Sequence, residues 1–287
     1  MLNDRYDEIG KIKEVNEETI FNSSRLIKKG KIFDLGMEIN ENIPGKKEGI
    51  FPFSMLFDVT PENNKNFYQK IDKTSRISGC SEVIISPIHI STHIDSLCHM
   101  HLDDKVIGKF DVKEIWTNRG WKKCGAETIP PIAGRGILLD IAKYLGKEKL
   151  ENDHIITIDE VKNYIKDNKI KIKFGDIVCV RTGKIKDYYK EDYWKSGPGI
   201  GSEAAVWLCE QGMCVLCIDY NSVDSLPLRY FNDSTHIKMI YENLVYLIEA
   251  LNLEELSKEG IVEFFMICSS IKITGCSGAF IRPVAMI

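Results

Sequence analysis

Apolar and polar positions along the chain fall into two rhythms. KIFDLGMEI (31–39) and the β-branched run from Ser81 to Ile94 predict strands. RGILLDIA (135–142), DIVCVRTG (176–183), MCVLCID (213–219) and VEFFMICSSIKI (262–273) predict four more. Helical spacing appears in TIDEVKNYIKDN (157–168), where Thr157 stands three residues before Glu160 as a capping box and Val161, Tyr164 and Ile165 form the apolar side. GSEAAVWLCEQG (201–212) reads as a second helix, capped by Ser202 and ended by Gly212. YENLVYLIEALNLEEL (241–256) carries a third helix-like pattern, although its apolar run also accommodates a short strand. Strands alternating with helices predict a mixed α/β architecture.

Elsewhere the pattern loosens. Residues 1–30 are polar with helix-like spacing at Ile20, Phe21, Leu26 and Ile27, which predicts an N-terminal arm or helix ahead of one domain over 31–287. Residues 41–75 mix Pro, Gly and Asn with isolated aromatics at Phe51, Phe53, Phe57, Phe67 and Tyr68. That composition predicts a long loop, and loops of such length commonly act as lids. No repeat, low-complexity segment or linker divides the chain.

Composition narrows the function. The 287 residues are 44% apolar, enough for a large core, and 28% charged with a formal net charge of −4. There is no basic excess to neutralise phosphates, so nucleic acid is not an expected partner. The charged start MLNDRYDEIGKIKE is unlike a signal peptide, and no run approaches the roughly 18 to 20 apolar residues of a membrane span. A cytoplasmic protein without membrane contact is expected. The nine cysteines are scattered through apolar segments, which favours buried free thiols over disulfides. Cys214 and Cys217 form a CxxC, but residues three apart on a strand face opposite sides and no second pair completes a zinc set.

Four of the six histidines lie in HISTHIDSLCHMH (89–101). Read as a strand, residues 88–95 place Ile88, Ile90, Thr92 and Ile94 on one face and His89, Ser91, His93 and Asp95 on the other. Two imidazoles and a carboxylate on one face suit borderline metals such as Zn²⁺ or Mn²⁺, leaving positions open for water. Such a site is catalytic in style, because a bound water then ionises near neutral pH. His99 or His101 could serve as the general base beside it, His101 being the better candidate for a surface residue. A second motif competes: Gly199, Gly201 and Ala204 match a dinucleotide G-x-G-x-x-A, with Asp219 where a ribose ligand would stand. The charged stretch KIKDYYKEDYWKSGP before it is no buried strand, so the dinucleotide reading fails on context.

With these residues assembled, the chain resembles the cyclase family of metal-dependent hydrolases, the group that includes bacterial kynurenine formamidase and isatin hydrolase. The family signature H-x-G-T-H-x-D-x-x-x-H is matched by His89, Thr92, His93, Asp95 and His99. FDLGMEINENIPG (33–45), PPIAGRGILLDIA (130–142), GDIVCVRTG (175–183), GPGIGSEAAVWL (197–208) and TGCSGAFIRPVAMI (274–287) are similar to further family blocks in the same order, and DSLCH and GPGIG are closer to the isatin-hydrolase-like branch.

The resemblance implies a compact domain around a mixed, barrel-like sheet flanked by helices, assembled as a homodimer or homotetramer. It implies that His89, His93 and Asp95 bind one divalent transition metal ion, Mn or Zn, that His99 acts catalytically beside it, and that Glu203 helps to bind metal. His236, in STHIKM (234–239), is a further catalytic candidate, with Ile237 where the family has Gln. Gly197 replaces a formamidase histidine, which favours one ion over two. Ser91 replaces the signature glycine, where it could add a benign hydrogen bond, reshape the pocket or cripple the site. The expected activity is hydrolysis of a small amide, cyclic amide or lactone, an N-formyl aryl amide or isatin-like lactam among them, with residues 41–75 covering a flat substrate. The alternative is a catalytically impaired metal- or ligand-binding protein of the same fold.

Overall fold

The computed structural model describes residues 8–44 and 53–287. Helix α1 (Glu17–Ser24) opens at Asn16, whose side chain and that of Thr19 cap each other's backbone N–H groups. It lies against the central sheet, whose strands are, in chain order, β1 (Ile32–Asp34), β4 (His93–Asp95), β5 (Ile132–Asp140), β6 (Asp176–Arg181), β7 (Met213–Ile218), β8 (Tyr246–Glu249), β9 (Glu263–Cys268), β10 (Gly278–Phe280) and β11 (Val284–Met286). Outside it stand the hairpin β2 (Ser54–Val59) and β3 (Ser81–Ile85) and helices α2 (Pro61–Ile71), α3 (Ile158–Asp167) and α4 (Ser202–Gln211).

The nine strands run in the order β1-β11-β9-β5-β6-β7-β8-β4-β10 as a curled half-barrel, parallel from β5 to β8 and antiparallel elsewhere. Every residue of β6 and β7 is buried, which is why DIVCVR and MCVLCI read as continuous apolar runs: both faces of a central parallel strand are covered. Helices α3 and α4 pack on one another, and α4 packs on β7. The capping box at Thr157 and Glu160 is present, whereas the N-cap of α4 is Gly201 rather than Ser202. Gly212 ends α4 at φ 121°, a conformation that L side chains rarely adopt. No helix among the described residues is long and apolar enough to cross a membrane.

Three expectations are corrected here. The run 81–94 is two strands of different sheets, β3 and β4, joined through a 3₁₀ turn at Ile88–Ile90. Residues 241–256 form no single helix. A π-helical turn (Ile237–Glu242) leads into β8 and then a short helix at Glu254–Lys258. The expected loop 41–75 is largely regular: β2 and α2 occupy 54–71, while 45–52, Phe51 among them, fall outside the described residues.

The nine cysteines are free and seven are buried, Cys214 and Cys217 included. The glycine motif is also structural. A Cβ on Gly199 would lie 2.1 Å from the backbone nitrogen of Ser225, and Asp219 spends both carboxylate oxygens on the backbone of Thr182 and Gly183 and on the Thr182 hydroxyl. Neither is free to hold a nucleotide.

Candidate metal centre

Strand β4 lies between β8 and β10, with His93 opposite Glu249 on one side and Phe280 on the other. Strand periodicity puts His93 and Asp95 on the same face and sends Ile94 into the opposite layer. Thr92 locks this placement: its hydroxyl donates to Ala250 O (2.7 Å) and accepts from Met37 N (2.8 Å), tying the strand to the end of β8 and to the chain after β1. The His93 Nδ1 meets Ser91 O at 2.7 Å, so Nδ1 carries a proton and Nε2 faces Asp95 Oδ1 (3.3 Å) and Glu249 Oε2 (3.6 Å).

His89 arrives differently from the strand reading. The 3₁₀ turn delivers it, and Gly278 of β10 makes room, since a Cβ there would lie 2.8 Å from the His89 ring. Ser277 Oγ holds Nε2 at 3.0 Å, which points Nδ1 at Asp95 Oδ1, 2.8 Å away. His99 stacks on His89 with ring centroids 4.2 Å apart. His89, Asp95 and His99 can each offer a donor atom, all within 4.8 Å of one another, and so can His93, Asp95 and Glu249. Asp95 belongs to both groups.

His236 closes the far side. Asp224 accepts from its Nδ1 (2.6 Å) and from its backbone N–H, directing Nε2 to Glu249 Oε1 (3.2 Å) and Asp95 Oδ2 (3.8 Å). Glu249 is held in turn by the N–H of Val223 at 2.8 Å.

Charge and hydrogen bonding both fit a bound cation. His89 Nδ1, His93 Nε2 and both Asp95 oxygens are buried without a hydrogen-bond partner, although they converge on one point. Orphaned buried polar atoms are costly unless something else satisfies them. Among the described residues, the ion pairs of Asp95, Glu249 and Asp224 are all with histidine. Burial opposes charge on His93 and His236, but these carboxylates outweigh it and hold both imidazoles above their ordinary value. Burial pushes His99 down to about 3, with Asp95 opposing and His89 assisting.

Over residues 33–225 the chain matches the family model described as "Putative cyclase". The chain belongs to the cyclase family. A crystal structure described as a novel cyclase shares 25% identity over 98% of this chain and 96% of its own, with a TM-score of 0.83. Isatin hydrolase A from Labrenzia aggregata bound to benzyl benzoate superposes over 90% of this cyclase-family chain and 93% of its own, at 18% identity and TM-score 0.66. A "predicted metal-dependent hydrolase" from Bacillus stearothermophilus does so over 90% and 98%, at 18% identity and TM-score 0.56. No curated protein matches.

Of the residues singled out in the cyclase-family signature, His89, His93, Asp95 and His99 come together, and His236 joins them. Glu203 does not: it is exposed on the first turn of α4, lining a separate cleft with Tyr230 and Lys238. The carboxylate in the centre is Glu249, which sequence reasoning missed along with Asp224. An acidic residue inside the apolar run YLIEAL was the available signal, because a buried charge needs a partner. His101 is exposed beside Trp121, away from the centre. Where the formamidases carry a histidine, Gly197 leaves room for the ring of Tyr220, which a Cβ would approach to 2.3 Å.

Ser91 turns out to face away from the donors. Its hydroxyl reaches Met37 O at 3.4 Å, and its backbone is extended (φ −143°), so serine strains nothing. Ser91→Gly is therefore expected to leave metal affinity unchanged. It should cost about 1–2 kcal/mol of stability, from one modest hydrogen bond and the added chain entropy of glycine. Titration calorimetry with Mn²⁺ and thermal melts of the two proteins check both halves.

Proposed function

We propose that the protein is a metal-dependent hydrolase of a small amide, cyclic amide or lactone. The observation that carries this reading is the convergence of four buried, unpartnered donor atoms from His89, His93 and Asp95. His89 Nδ1, His93 Nε2 and Asp95 would hold one divalent ion, Mn or Zn by donor type. A bound ion of this kind polarises a carbonyl and brings the pKa of water from 15.7 to about 7. The chain's own residues do the rest. Ser277 and Ser91 O fix the two imidazole tautomers, Asp95 supplies the shared carboxylate, and the His99 ring nitrogen nearest His89 and Asp95 takes a proton from the attacking water and returns it to the leaving group. The cyclase-family membership and the likeness to isatin hydrolase and metal-dependent hydrolase structures support a carbonyl substrate of this class.

A second reading concerns metal number. His236 Nε2 and Glu249 stand on the other side of Asp95, with Asp224 orienting His236, and these residues would hold a second ion. Elemental analysis distinguishes one ion per chain from two. The activity itself is tested on N-formyl aryl amides, isatin-like lactams and lactones. Chelator should abolish hydrolysis and Mn²⁺ or Zn²⁺ should restore it, whereas a fully metal-loaded protein inert towards all three classes sinks the proposal.

A further inference from the structure

Strands β5 to β8 run parallel, so Asp140, Arg181 and Glu249, the last residues of β5, β6 and β8, stand on one edge of the sheet. Ligands of open α/β sheets bind in crevices outside that carboxyl edge. Glu249 belongs to the metal centre. Two strands farther along, or about 10 Å, a cleft of about 520 Å³ opens beside Arg181. That volume falls within the roughly 300–1,000 Å³ of small-molecule sites. A recess of about 250 Å³ adjoins the cleft, the two sharing Lys143 and Ser257.

The two cavities differ in chemistry. The cleft is basic, on a chain whose formal net charge is −4. Its Arg181 is buried and already spent: Asp140 accepts from Nη1 at 2.8 Å, and Glu254 accepts from Nε at 2.8 Å and from Nη2 at 3.0 Å. What remains is four lysines, Lys143, Lys147, Lys186 and Lys258, against Glu148 and Glu255. Lys147 meets Glu151, and Lys186 meets Glu148 and Glu254, at 3.5 Å. Long, exposed pairs of this kind hold a lysine weakly. Lys258 has no ion pair among the described residues. A cleft lined mainly by one sign of charge focuses its field and concentrates counter-ions. The recess is lined instead by Leu138, Tyr144, Tyr164, Ile261 and Val262 around the buried Asp140, with the two tyrosine rings edge to face at 5.4 Å. Such walls suit a flat, apolar body.

We propose that the paired cavities bind a phosphomonoester with an aromatic body, its head among the lysines and its ring in the tyrosine recess. A phosphomonoester carries about −1.5 to −2 at pH 7, which matches the excess of lysines over glutamates, and its three acceptor oxygens can take donors from several sides at once. Lys143 and Ser257 stand where head and body would join. No metal-centre residue lines either cavity, so the inference stands apart from the hydrolase reading.

Calorimetric titration of the metal-loaded protein at constant ionic strength tests it, with phenyl phosphate as the probe and inorganic phosphate as the bare head. Phenyl phosphate should bind saturably and more tightly than inorganic phosphate. Lys147→Glu with Lys258→Glu, both at exposed positions, should weaken both ligands about tenfold or more with an unchanged far-ultraviolet spectrum. Tyr144→Ala should weaken phenyl phosphate alone. No saturable binding of phenyl phosphate, or binding that the double charge reversal leaves intact, as attachment at the metal centre would be, overturns the proposal. So does a Tyr144→Ala protein that loses both ligands equally or neither, because the ring would then lie outside the recess.

Discussion

Asp95→Asn is expected to strip the protein of its metal and to weaken the metal-free fold. Asp95 is the one residue common to both donor groups, and both its oxygens are buried and unpartnered. Loss of an outer partner of a ligand costs roughly 10–100-fold in metal affinity, so loss of the shared carboxylate should cost about 100-fold or more. Turnover should fall in parallel. Stability of the metal-free fold should fall as well: burial opposes the charge, but His99, His89 and His93 outweigh it and hold the Asp95 carboxyl well below its usual range, so metal-free Asp95→Asn should melt below the metal-free wild type. Metal titration followed by thermal melts of chelated samples reads both effects. Retention of wild-type affinity would remove Asp95 from the ligand set, and an unchanged melting temperature would show that its charge adds nothing to the metal-free fold.

Much of this centre was legible in thirteen residues, and the reason is local. His93 and Asp95 are two apart on a genuine strand, so spacing alone puts them together. His89 reached the same place for another reason. Its segment is a 3₁₀ turn, and its orientation depends on Ser277 and Gly278, almost 190 residues later in the chain, in a strand that no periodicity could pair with β4. Glu249 was hidden by burial itself. Strand β8 is covered on both faces, its apolar run has no period-two signature, and in a longer window it imitates a helix. Glu203 stood at a promising position in a helix that turns that carboxylate outward. Asp224 lies in the irregular segment NSVDS, where side-chain direction follows from tertiary contact alone. The segment 54–85 failed for the opposite reason: its polar and aromatic mixture reads as a loop, because no residue of β2, α2 or β3 is buried and none shows a clear core-facing period.

His99→Ala separates the chemistry from the binding. The ring stacks on His89 and places a nitrogen within ligand range of Asp95, so geometry allows His99 either to hold the ion or to move a proton. Its packing favours the second role. Among the described residues, His99 makes no side-chain hydrogen bond with a carboxylate or backbone oxygen that would fix its tautomer, unlike His93 and His236, which Ser91 O and Asp224 lock with one nitrogen facing inward. Removing a positioned general base costs typically about 10²–10⁴-fold in rate. His99→Ala should therefore lose turnover by that factor while keeping its metal content and affinity. The two measurements must be made on the same preparation, because simultaneous loss of metal would make His99 a ligand and leave proton transfer to His236. If turnover persists with metal retained, neither role belongs to His99.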